Sequence, residues 1–470
     1  MMDWIKDVFY GIDLFFVIYL IGYSTFLLLS VTIGAIVLYE QHEKKKLYNF
    51  IEQDQYVPVS IIVPAYNERL TVIDTVQSLL QLDYALYEIV IVDDGSTDGM
   101  SQRLVEHFNM ERLYRPIRKK ILCEEEQAIY MTYKQKVPIT LICKNNGGKA
   151  DALNMGINAS QYPYFICMDA DSVLQSDALR NIIRPILEEE NVIACGGLIR
   201  ILNNVVLEKG KVVDYGIPKN PLVGMQMLEY DRTFLASRLL FDKFNGNLII
   251  SGAFGLFRKD MVMAVGGYDK ATVGEDMELV VRLHAFCRVN KIPYQIKYAT
   301  DAVCWSQAPE SIRDLMKQRR RWHRGLFQSV LAHRQIFLNA DYGMISFISF
   351  LYFTIYELFS PYIELFGILS IIIAVLLRLV NIPFMILFFL IYMVFGMLMS
   401  LTAFFSRIHA MDIQLKAGDV MKAIGLCILE SSVLRGVLFW TRLTAFAGYK
   451  KKKLHWDTIT RQEINRNDAM

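Results

Sequence analysis

This sequence of 470 residues has almost no excess of charge, because 50 lysines and arginines are offset by 48 acidic residues and the net charge is only +2. A protein that binds nucleic acid along its surface is expected to carry a larger basic excess. The GxxxxGK[ST] pattern of a P-loop is also absent from the sequence. We therefore expect no nucleic-acid partner and no nucleotide site of the P-loop type.

The sequence also lacks paired cysteines. Its seven cysteines form no CxxC pair and no spacing typical of metal ligands. An odd, scattered set of cysteines is what a protein in a reducing compartment tolerates. We predict that all seven are small packing residues, rather than disulfide partners or metal ligands.

What the sequence does contain is a high apolar content, with 53% hydrophobic residues and a mean hydropathy of +0.27. Residues 11–38 are almost uncharged and long enough to cross a bilayer as one helix. A signal peptide is the competing interpretation, but the segment is too long, lacks a basic region before it and ends without a small-residue cleavage site. Because Lys44, Lys45 and Lys46 follow it, the positive-inside rule predicts an N-terminus outside and a cytoplasmic location for what comes next.

After residue 340 the chain is apolar again. Residues 360–377 and 383–405 are each predicted to span the membrane as a helix. Residues 342–358 and 420–447 contain charged side chains, and we expect both segments to lie along the cytoplasmic face. These predictions give three spans in a multi-pass protein of the plasma (inner) membrane.

The predicted order of domains is an N-terminal transmembrane helix with a basic flank (1–46), a cytosolic domain (47–340), and a C-terminal membrane domain with a short cytosolic tail (341–470). Within the cytosolic domain, helix-like stretches such as 148–159 alternate with apolar runs, which predicts a parallel sheet with right-handed crossovers. The charged segment 109–137 fits no sheet element, and we expect a surface insertion there. The runs typical of strands lie at 59–63, 87–92, 138–142 and 164–168.

Two acidic clusters follow predicted strands. Asp93 and Asp94 come directly after the strand at 87–92, and Asp169 and Asp171 come after the strand at 164–168. The carboxyl ends of parallel strands are where such sheets bind ligands. In an extended segment residues i and i+2 point to the same side, so Asp169 and Asp171 can converge on one Mg²⁺ or Mn²⁺ that is completed by phosphates and water. The pattern predicts a nucleotide-diphosphate site, although aspartates also end strands simply because turns favour them.

Two further motifs leave alternatives open. The glycine-rich turn at 145–154 opens a helix, where Lys149 could meet a phosphate or the polar residues could simply cap the helix. Asp276 stands at the predicted start of another helix, where an aspartate is either a cap or a general base that removes a proton from an attacking hydroxyl. A single base suits one displacement with inversion at the attacked carbon.

The segment KQRRRWHRG at 317–325 carries five positive charges around one tryptophan. Taken alone, such a run predicts a patch that binds lipid headgroups or nucleic acid. On a helix, however, Gln318 and Trp322 are four residues apart and share one face, with Arg321 adjacent. The remaining arginines need not share that face and are expected at the membrane surface; they are Arg319, Arg320 and Arg324.

These motifs occur in a distinctive order: VPAYNE (63–68), VDDGS (92–96), GGKADALN (147–154), DAD (169–171), SGAFG (251–255), GED (274–276) and QxxRW (318–322). In this order the set resembles the inverting membrane glycosyltransferases of family two, and among them the processive synthases of poly-N-acetylglucosamine, hyaluronan, chitin and cellulose. The poly-N-acetylglucosamine synthases are most similar, since they share one preceding span and the segments SGAFG, GGY and VGEDMELVVRLH. The resemblance covers residues 58–335 closely, and the membrane segments have the same layout.

The resemblance implies an α/β fold with a GT-A type, Rossmann-like domain inserted between transmembrane helices. It implies an inverting, UDP-sugar-dependent hexosyltransferase that polymerises a sugar, with UDP-N-acetylglucosamine favoured, and extrudes the product through the membrane. The product would be a β-linked exopolysaccharide of the kind found in biofilms. Mg²⁺ or Mn²⁺ is the implied cofactor, and the implied partners are the UDP-sugar donor, the growing polysaccharide and the lipid bilayer.

The resemblance also assigns roles to positions that match the family's motifs. Asp276 would be the catalytic base, and Asp169 and Asp171 would hold the metal. The donor would be contacted by Pro64, Tyr66, Glu68, Asp93, Asp94, Lys149 and Asp169. The acceptor and the growing chain would be contacted by Gly252, Glu275, Trp305, Gln318, Arg321 and Trp322.

Two features depart from the family's pattern. Ser306 and Gln307 follow the tryptophan where relatives usually have Thr-Glu, which bears on the acceptor contacts and so on the sugar. Only a short tail follows Lys453, so we expect cyclic-di-GMP control, if present, through a small membrane accessory subunit or the chain's own basic residues. Two other functions compete: a transferase that adds one sugar to a lipid carrier or glycolipid, and a nucleotide-sensing receptor or transporter. The QxxRW motif and the acidic membrane segments favour the polymerase, and a sensor has no use for Asp276.

Overall fold

The computed structural model of the chain describes residues 2–48, 56–203, 205–208, 210–411 and 416–449. The basic run at 450–453 and the predicted cytosolic tail lie outside the described residues, as do the side chains of Lys45 and Lys46.

Strands and helices alternate through the central part of the chain, as the sequence pattern predicts. The strands are β1 (Val59–Ala65), β2 (Tyr87–Asp93), β3 (Glu111–Leu113), β4 (Glu126–Lys134), β5 (Val137–Lys144), β6 (Tyr164–Cys167), β7 (Val173–Leu174), β8 (Val192–Ile201), β9 (Val205–Glu208), β10 (Lys211–Tyr215), β11 (Gly255–Arg258) and β12 (Gln295–Ser306).

The helices begin with a long N-terminal element and end in a group of apolar ones. They are α1 (Met2–Tyr48), α2 (Val72–Leu79), α3 (Met100–Phe108), α4 (Lys149–Ala159), α5 (Ala178–Glu188), α6 (Pro221–Glu229), α7 (Ser237–Asp242), α8 (Lys259–Ala264), α9 (Glu275–Val289), α10 (Ile312–Ala332), α11 (Ser360–Leu376), α12 (Ile382–Ala410), α13 (Ala417–Leu429) and α14 (Arg435–Leu443). Short π-helical stretches occupy Tyr230–Ala236, Ile345–Phe350, Phe353–Leu358 and Glu430–Leu434, and 3-10 turns occupy Arg334–Ile336 and Ala340–Tyr342.

The large sheet is mixed, with the strand order β3-β4-β5-β2-β1-β6-β11-β8-β12-β7. The four strands predicted from the sequence, β5, β2, β1 and β6, are mutually parallel. β11 runs antiparallel to both of its neighbours, β6 and β8. The prediction of a parallel sheet therefore holds for its centre, and antiparallel strands extend it on both sides.

Side chains alternate along β1 and fill two cores on opposite faces of the sheet. Ile61 and Val63 are fully buried in one core together with residues of α2, α3 and α5. Ile62 is fully buried in the other core, with residues of α4, α8 and α9. Helices on both faces cover the sheet and leave its strand ends as the place where polar side chains can gather.

The segment 109–137 contradicts the prediction that it fits no sheet element. It contains β3 and β4, which pair antiparallel with each other, and β4 pairs antiparallel with β5. These strands form the edge of the sheet, where most of their side chains are at least partly exposed. The apolar pattern that identifies a buried strand is weak in such an edge pair, which explains why the sequence pattern did not reveal it.

Three helices among the described residues are long and apolar enough to cross a membrane: Trp4–Lys44, Ile382–Ala410 and Ala417–Leu443. Ile345–Leu358 and Ser360–Leu376 meet the same criteria only together, as a pair bent by 51° that would make a fourth crossing. The chain is therefore a membrane protein. The number of spans and the outside location of the N-terminus stay predictions.

We expected 420–447 to lie along the membrane surface, but the segment Ala417–Leu443 is long and apolar enough to cross, so its location stays a prediction. That expectation was based on three charged residues and on the basic run at 450–453, which a crossing would place outside. Each of the three charged residues has an oppositely charged partner, which lowers the cost of placing it among apolar groups, and Arg435 also keeps 48% of its side chain exposed. The pairs are Glu430 with Arg232 at 2.6 Å, Arg435 with Glu364 at 3.3 Å, and Arg442 with Glu357 at 3.2 Å.

Candidate active site

The ends of β1, β2 and β6 bring the acidic clusters to one edge of the sheet. The backbone N–H of Asp94 donates to the carbonyl of Ala65 at 2.9 Å, and that of Met168 donates to the carbonyl of Ile62 at 3.1 Å. The parallel register therefore continues past the last strand residues. It places the segments that carry Asp94 and Asp169 next to the end of β1.

A cavity of about 610 Å³ extends from the edge of the sheet to the helices near the membrane. Its wall includes nine of the predicted residues: Lys149, Asp169, Asp171, Gly252, Glu275, Asp276, Gln318, Arg321 and Trp322. At the far end it is lined by Tyr352, Phe353, Glu357 and Arg442. The structure thus brings the predicted donor, metal, base and acceptor groups into one space.

Lys149 stands at the start of α4 and connects two acidic residues of this cavity. Its Nζ contacts Asp169 Oδ1 directly and lies 3.7 Å from Glu275 Oε1. Burial alone would lower the pKa of Lys149, but the carboxylates of Asp169 and Glu275 raise it above its usual value. Burial raises the pKa of Glu275, against the opposing effect of Lys149. Lys149 is therefore positively charged, and its contact with a phosphate stays a prediction.

Asp169 and Asp171 fit a divalent cation. Both carboxylates line the cavity, and the Asp169 side chain keeps 33% of its surface exposed despite its contact with Lys149. Across the described ranges no cluster of three or more metal-ligating side chains includes them. Two carboxylates are nevertheless the usual protein contribution to a Mg²⁺ or Mn²⁺ site that substrate phosphates and water complete.

Asp276 is the second residue of α9, and the cap position belongs to Gly274. Its Oδ1 accepts the N–H of Met277 at 2.8 Å and its Oδ2 accepts the N–H of Gly252 at 3.2 Å. A Cβ at Gly252 would lie 3.2 Å from Lys149 Nζ, so a side chain there would press on this lysine. The carboxylate is therefore held at the cavity wall beside Lys149, which is the location that a general base requires.

The basic helix α10 contributes Gln318, Arg321 and Trp322 to the cavity, as its helical spacing predicts. The Trp322 ring is flanked by the Phe234 ring, with centroids 5.8 Å apart, and by the Arg319 guanidinium, 4.3 Å from the ring centroid. An aromatic face held in this way can pack against the C–H face of a sugar ring.

The prediction that the other arginines of α10 contact headgroups is wrong for Arg319 and Arg324, which are only 3% and 5% exposed. Arg319 Nη2 pairs with Glu229 Oε2 at 2.6 Å, and Arg324 Nε donates to the carbonyl of Ala445 at 2.8 Å. Arg320 donates to Thr444 Oγ1 at 3.2 Å. Through these contacts the three arginines attach α10 to α6 and to the residues that follow α14.

Trp305, a predicted acceptor contact, does not line the cavity, and that contact stays a prediction. Its side chain is fully buried among Val173, Leu198 and Val303. Because side chains alternate along β12, the following residue, Ser306, faces the cavity instead.

The predicted nucleotide contacts Pro64, Tyr66, Glu68, Asp93 and Asp94 lie beside the cavity rather than in its wall. Tyr66 is half exposed, and Glu68 accepts a hydrogen bond from Thr71 Oγ1 at 2.8 Å. Asp93 and Asp94 are buried at 5% and 4% exposure. Their contact with a nucleotide stays a prediction.

Asp94 has a clear structural role. Its two carboxylate oxygens accept the N–H groups of Gly147 at 3.0 Å and Gly148 at 2.7 Å, and Oδ1 also pairs with Lys144 Nζ at 2.5 Å. Burial raises the pKa of Asp94, against the effect of these donors. Since Gly148 directly precedes Lys149, the carboxylate fixes the turn that places this lysine in the cavity.

One functional position that the sequence interpretation missed is Gly325, at the end of the KQRRRWHRG segment. A Cβ added there would lie 2.7 Å from the Cα of Gly274, just before α9. The two glycines thus allow the backbone of α10 to touch the start of the helix that carries Asp276. A glycine in the interior of an otherwise helical pattern is the signal that could have identified this contact.

Gly325→Ala is expected to lower the turnover of the enzyme by about 10²-fold, because a shift of about 1 Å between catalytic groups has an effect of that size. The added methyl group would separate α10 from α9 and so move Arg321 and Trp322 away from Asp276. Steady-state kinetics on purified protein checks this. Gly425→Ala is the matched control, since a Cβ at this glycine in the middle of α13 meets nothing within 4 Å.

Comparison with known proteins agrees with this geometry. Residues 60–266 match the family model described as glycosyl transferase family 2, and residues 164–407 match the one described as glycosyl transferase family group 2. Two curated relatives named poly-beta-1,6-N-acetyl-D-glucosamine synthase, from Staphylococcus epidermidis (strain RP62A) and Staphylococcus aureus (strain COL), are each 30% identical over 311 residues. Each alignment covers 65% of this chain and 64% of the relative, so the chain matches less than two thirds of their length.

Among solved structures, a mannosyltransferase, PcManGT from Pyrobaculum calidifontis in complex with GDP-Man and Mn²⁺, is 17% identical with a TM-score of 0.48. The match covers 92% of this chain and 99% of that one, and at this score the likeness is loose. The mixed sheet and the family matches confirm the prediction of an α/β, GT-A type domain flanked by membrane helices. Because the second family match spans more than half of the 470 residues, the chain belongs to the family 2 glycosyltransferases.

Proposed function

We propose that this protein is an inverting, processive glycosyltransferase that builds a β-linked polysaccharide from a UDP-sugar and extrudes it through its membrane segments. UDP-N-acetylglucosamine is the favoured donor, because the curated relatives are named as synthases of poly-beta-1,6-N-acetyl-D-glucosamine. The observation that carries the proposal is the single cavity that joins Asp169 and Asp171 to Asp276 and to the QxxRW residues of α10. The product would be an exopolysaccharide of the biofilm type.

The proposed reaction is a single displacement at the anomeric carbon. Asp276 accepts the proton of the acceptor hydroxyl, the acceptor oxygen forms a bond to the anomeric carbon, and the bond from that carbon to the diphosphate breaks, so that UDP leaves with the electron pair. One carboxylate in the role of base is enough for this step, and no covalent sugar intermediate is needed.

The leaving diphosphate gains negative charge as the glycosidic bond breaks. Lys149 and Arg321 line the cavity as positive groups, and an arginine can bind two phosphate oxygens at once. A divalent cation, Mg²⁺ or Mn²⁺, held by Asp169 and Asp171 would supply further stabilisation of that charge. Trp322 would pack against the acceptor sugar and hold its hydroxyl near Asp276.

The far end of the cavity supports the proposal that the product is extruded through the membrane. This end is lined by Tyr352, Phe353, Glu357 and Arg442. A polymer that leaves the site in this direction would enter the membrane helices. In this proposal the N-terminus lies outside and the GT-A domain in the cytoplasm. An accessory subunit, including one that responds to cyclic-di-GMP, remains a predicted partner.

The experiment is a panel of UDP-sugars with Mg²⁺ or Mn²⁺ and the purified protein in lipid, followed by mass analysis of the products. We expect UDP-N-acetylglucosamine to give a ladder of long chains. Products that stop at one added sugar would contradict processivity and favour a transferase that modifies a lipid carrier or glycolipid. Binding of UDP-sugars without any transfer would instead favour a nucleotide sensor.

A further inference from the structure

Asn247 is a buried polar residue in the cavity wall that no motif identified. It lies in the loop between α7 and β11, is 2% exposed and lines the cavity. Its backbone carbonyl accepts a hydrogen bond from His284 Nε2 at 2.8 Å. Burial lowers the pKa of His284 to about 4, so this histidine is a neutral donor that fixes the main chain at this point.

The side-chain carboxamide of Asn247 makes no hydrogen bond to the described residues. Across the described parts of the chain, neither Nδ2 nor Oδ1 has a hydrogen-bond partner. A buried amide without a partner destabilises a fold, so native proteins rarely keep one without a reason. In the wall of a cavity, the reason that fits is a ligand that supplies the missing partners.

The location of Asn247 separates it from the diphosphate end of the cavity. Gly252, five residues later in the same loop, lies between Lys149 and Asp276. In the other direction, a Cβ at Gly246 would lie 2.6 Å from Ser349 Oγ, in the segment that leads into the membrane helices. Asn247 therefore lies on the membrane side of Asp276, where the acceptor of the proposed reaction would bind.

Two other cavity residues have uncharged polar atoms without a partner among the described residues, whereas a third such atom, Arg319 Nε, belongs to a guanidinium that pairs with Glu229. Gln318 Oε1 and His323 Nε2 have no hydrogen-bond partner within the described ranges. Burial, and secondarily Arg442, lowers the pKa of His323 to about 3, so its ring is neutral.

The cavity wall here also contains the charged residues Glu357 and Arg442, which pair with each other at 3.2 Å. The uncharged donors and acceptors, together with the rings of Phe241 and Phe353, suit the hydroxyl groups and C–H faces of a sugar.

We infer that Asn247 is a specificity-determining residue for the acceptor, whose Nδ2 donates to one ring hydroxyl of the acceptor sugar while Oδ1 accepts from its neighbour. A hydroxyl group both donates and accepts, so two adjacent hydroxyls complement one carboxamide. This inference rests on the proposed glycosyl transfer, and it adds the residue that orients the acceptor sugar toward Asp276.

The test is Asn247→Leu, which keeps the size of the side chain and removes both polar atoms. We expect the KM for an N-acetylglucosamine oligosaccharide acceptor to rise about tenfold or more, the loss that one or two hydrogen bonds account for. The KM for UDP-N-acetylglucosamine should change little. Because the native amide is unpartnered, the melting temperature should stay the same or rise.

Asn203→Leu is the matched control. Asn203 lines the same cavity, but its Oδ1 accepts the N–H of Ala308 at 2.8 Å and its Nδ2 donates to Glu310 at 2.9 Å. This substitution should lower the melting temperature, because it leaves a backbone N–H without its partner.

The outcomes distinguish this inference from the proposed function. If wild-type protein extends the acceptor and Asn247→Leu extends it with the same acceptor KM, the inference about Asn247 is wrong. A lower melting temperature for Asn247→Leu together with an equal rise in both KM values would assign Asn247 a structural role instead. If the wild-type protein extends no sugar acceptor at all, the proposed function itself fails.

Discussion

Asp276→Asn is expected to lower the rate of sugar transfer by about 10³-fold, within the range that a general base contributes. The asparagine keeps the shape of the side chain, and its single oxygen can still accept the N–H of Met277, so the start of α9 should remain in place. Its amide nitrogen cannot accept the N–H of Gly252, so only that longer contact of 3.2 Å is lost. The asparagine cannot accept the proton of the acceptor hydroxyl. Steady-state transfer kinetics together with calorimetric binding of UDP would measure both properties, and UDP affinity should be nearly unchanged.

Asp260→Asn provides a close control for this prediction. Asp260 is the second residue of α8, as Asp276 is of α9, and its Oδ1 accepts the N–H of the next residue at 2.7 Å. It is exposed and lies outside the cavity, so its substitution should leave transfer intact. If Asp276→Asn transfers sugar at a rate near that of wild type, Asp276 is a structural residue and the proposed mechanism loses its base.

Removal of divalent metal is the second change with a large expected effect. EDTA should abolish turnover of the donor, and Mg²⁺ or Mn²⁺ should restore it, because Asp169 and Asp171 repel the diphosphate unless a cation lies between them. Asp171→Asn should lower turnover by about 10²-fold and weaken metal-dependent UDP binding. We chose Asp171 because substitution of Asp169 would also remove the partner of Lys149.

The binding of Mn²⁺, followed by electron paramagnetic resonance with and without UDP, gives a readout that does not depend on activity. Asp83→Asn is the control, since Asp83 forms an exposed surface pair with Arg180. Turnover that persists in EDTA, with Mn²⁺ binding unchanged in Asp171→Asn, would show that these two aspartates do not form a metal site.

The part of the site that could be predicted from the sequence consists of groups whose position follows from local structure. The acidic residues follow strands, and parallel strands end at the same edge of a sheet, so Asp94 and Asp169 had to lie near each other. Helical spacing likewise placed Gln318 and Trp322 on one face of α10. Short-range geometry was sufficient for these residues.

The errors arose where the outcome depended on what packs against an element. Arg319 and Arg324 were expected at a membrane surface, but α6 and the end of α14 cover them with Glu229 and the carbonyl of Ala445. Trp305 was expected in the cavity, but the alternation along β12 turns it into the core. Nothing local to these residues shows which neighbours will cover them.

Asn247 and Gly325 show a third case, in which the sequence contains no motif at all. An asparagine in a loop and a glycine in a helix are common, and only the structure shows that one has an unpartnered amide and the other a backbone contact. The ion pairs of Glu430 and Arg442 could not be predicted from the sequence either, because their partners, Arg232 and Glu357, are far away along the chain. Long-range contacts of this kind decide how the catalytic domain joins the membrane helices.

The central claim is that one base, Asp276, activates the acceptor hydroxyl in the same cavity where Asp169 and Asp171 hold the metal of the donor diphosphate. Its most direct test is the configuration of the bond formed. Proton NMR of the oligosaccharide that the purified protein makes from UDP-α-N-acetylglucosamine and a short acceptor would report the new anomeric centre. The account predicts a β linkage, because a single displacement inverts the α donor. An α linkage, or no new glycosidic bond, would contradict it.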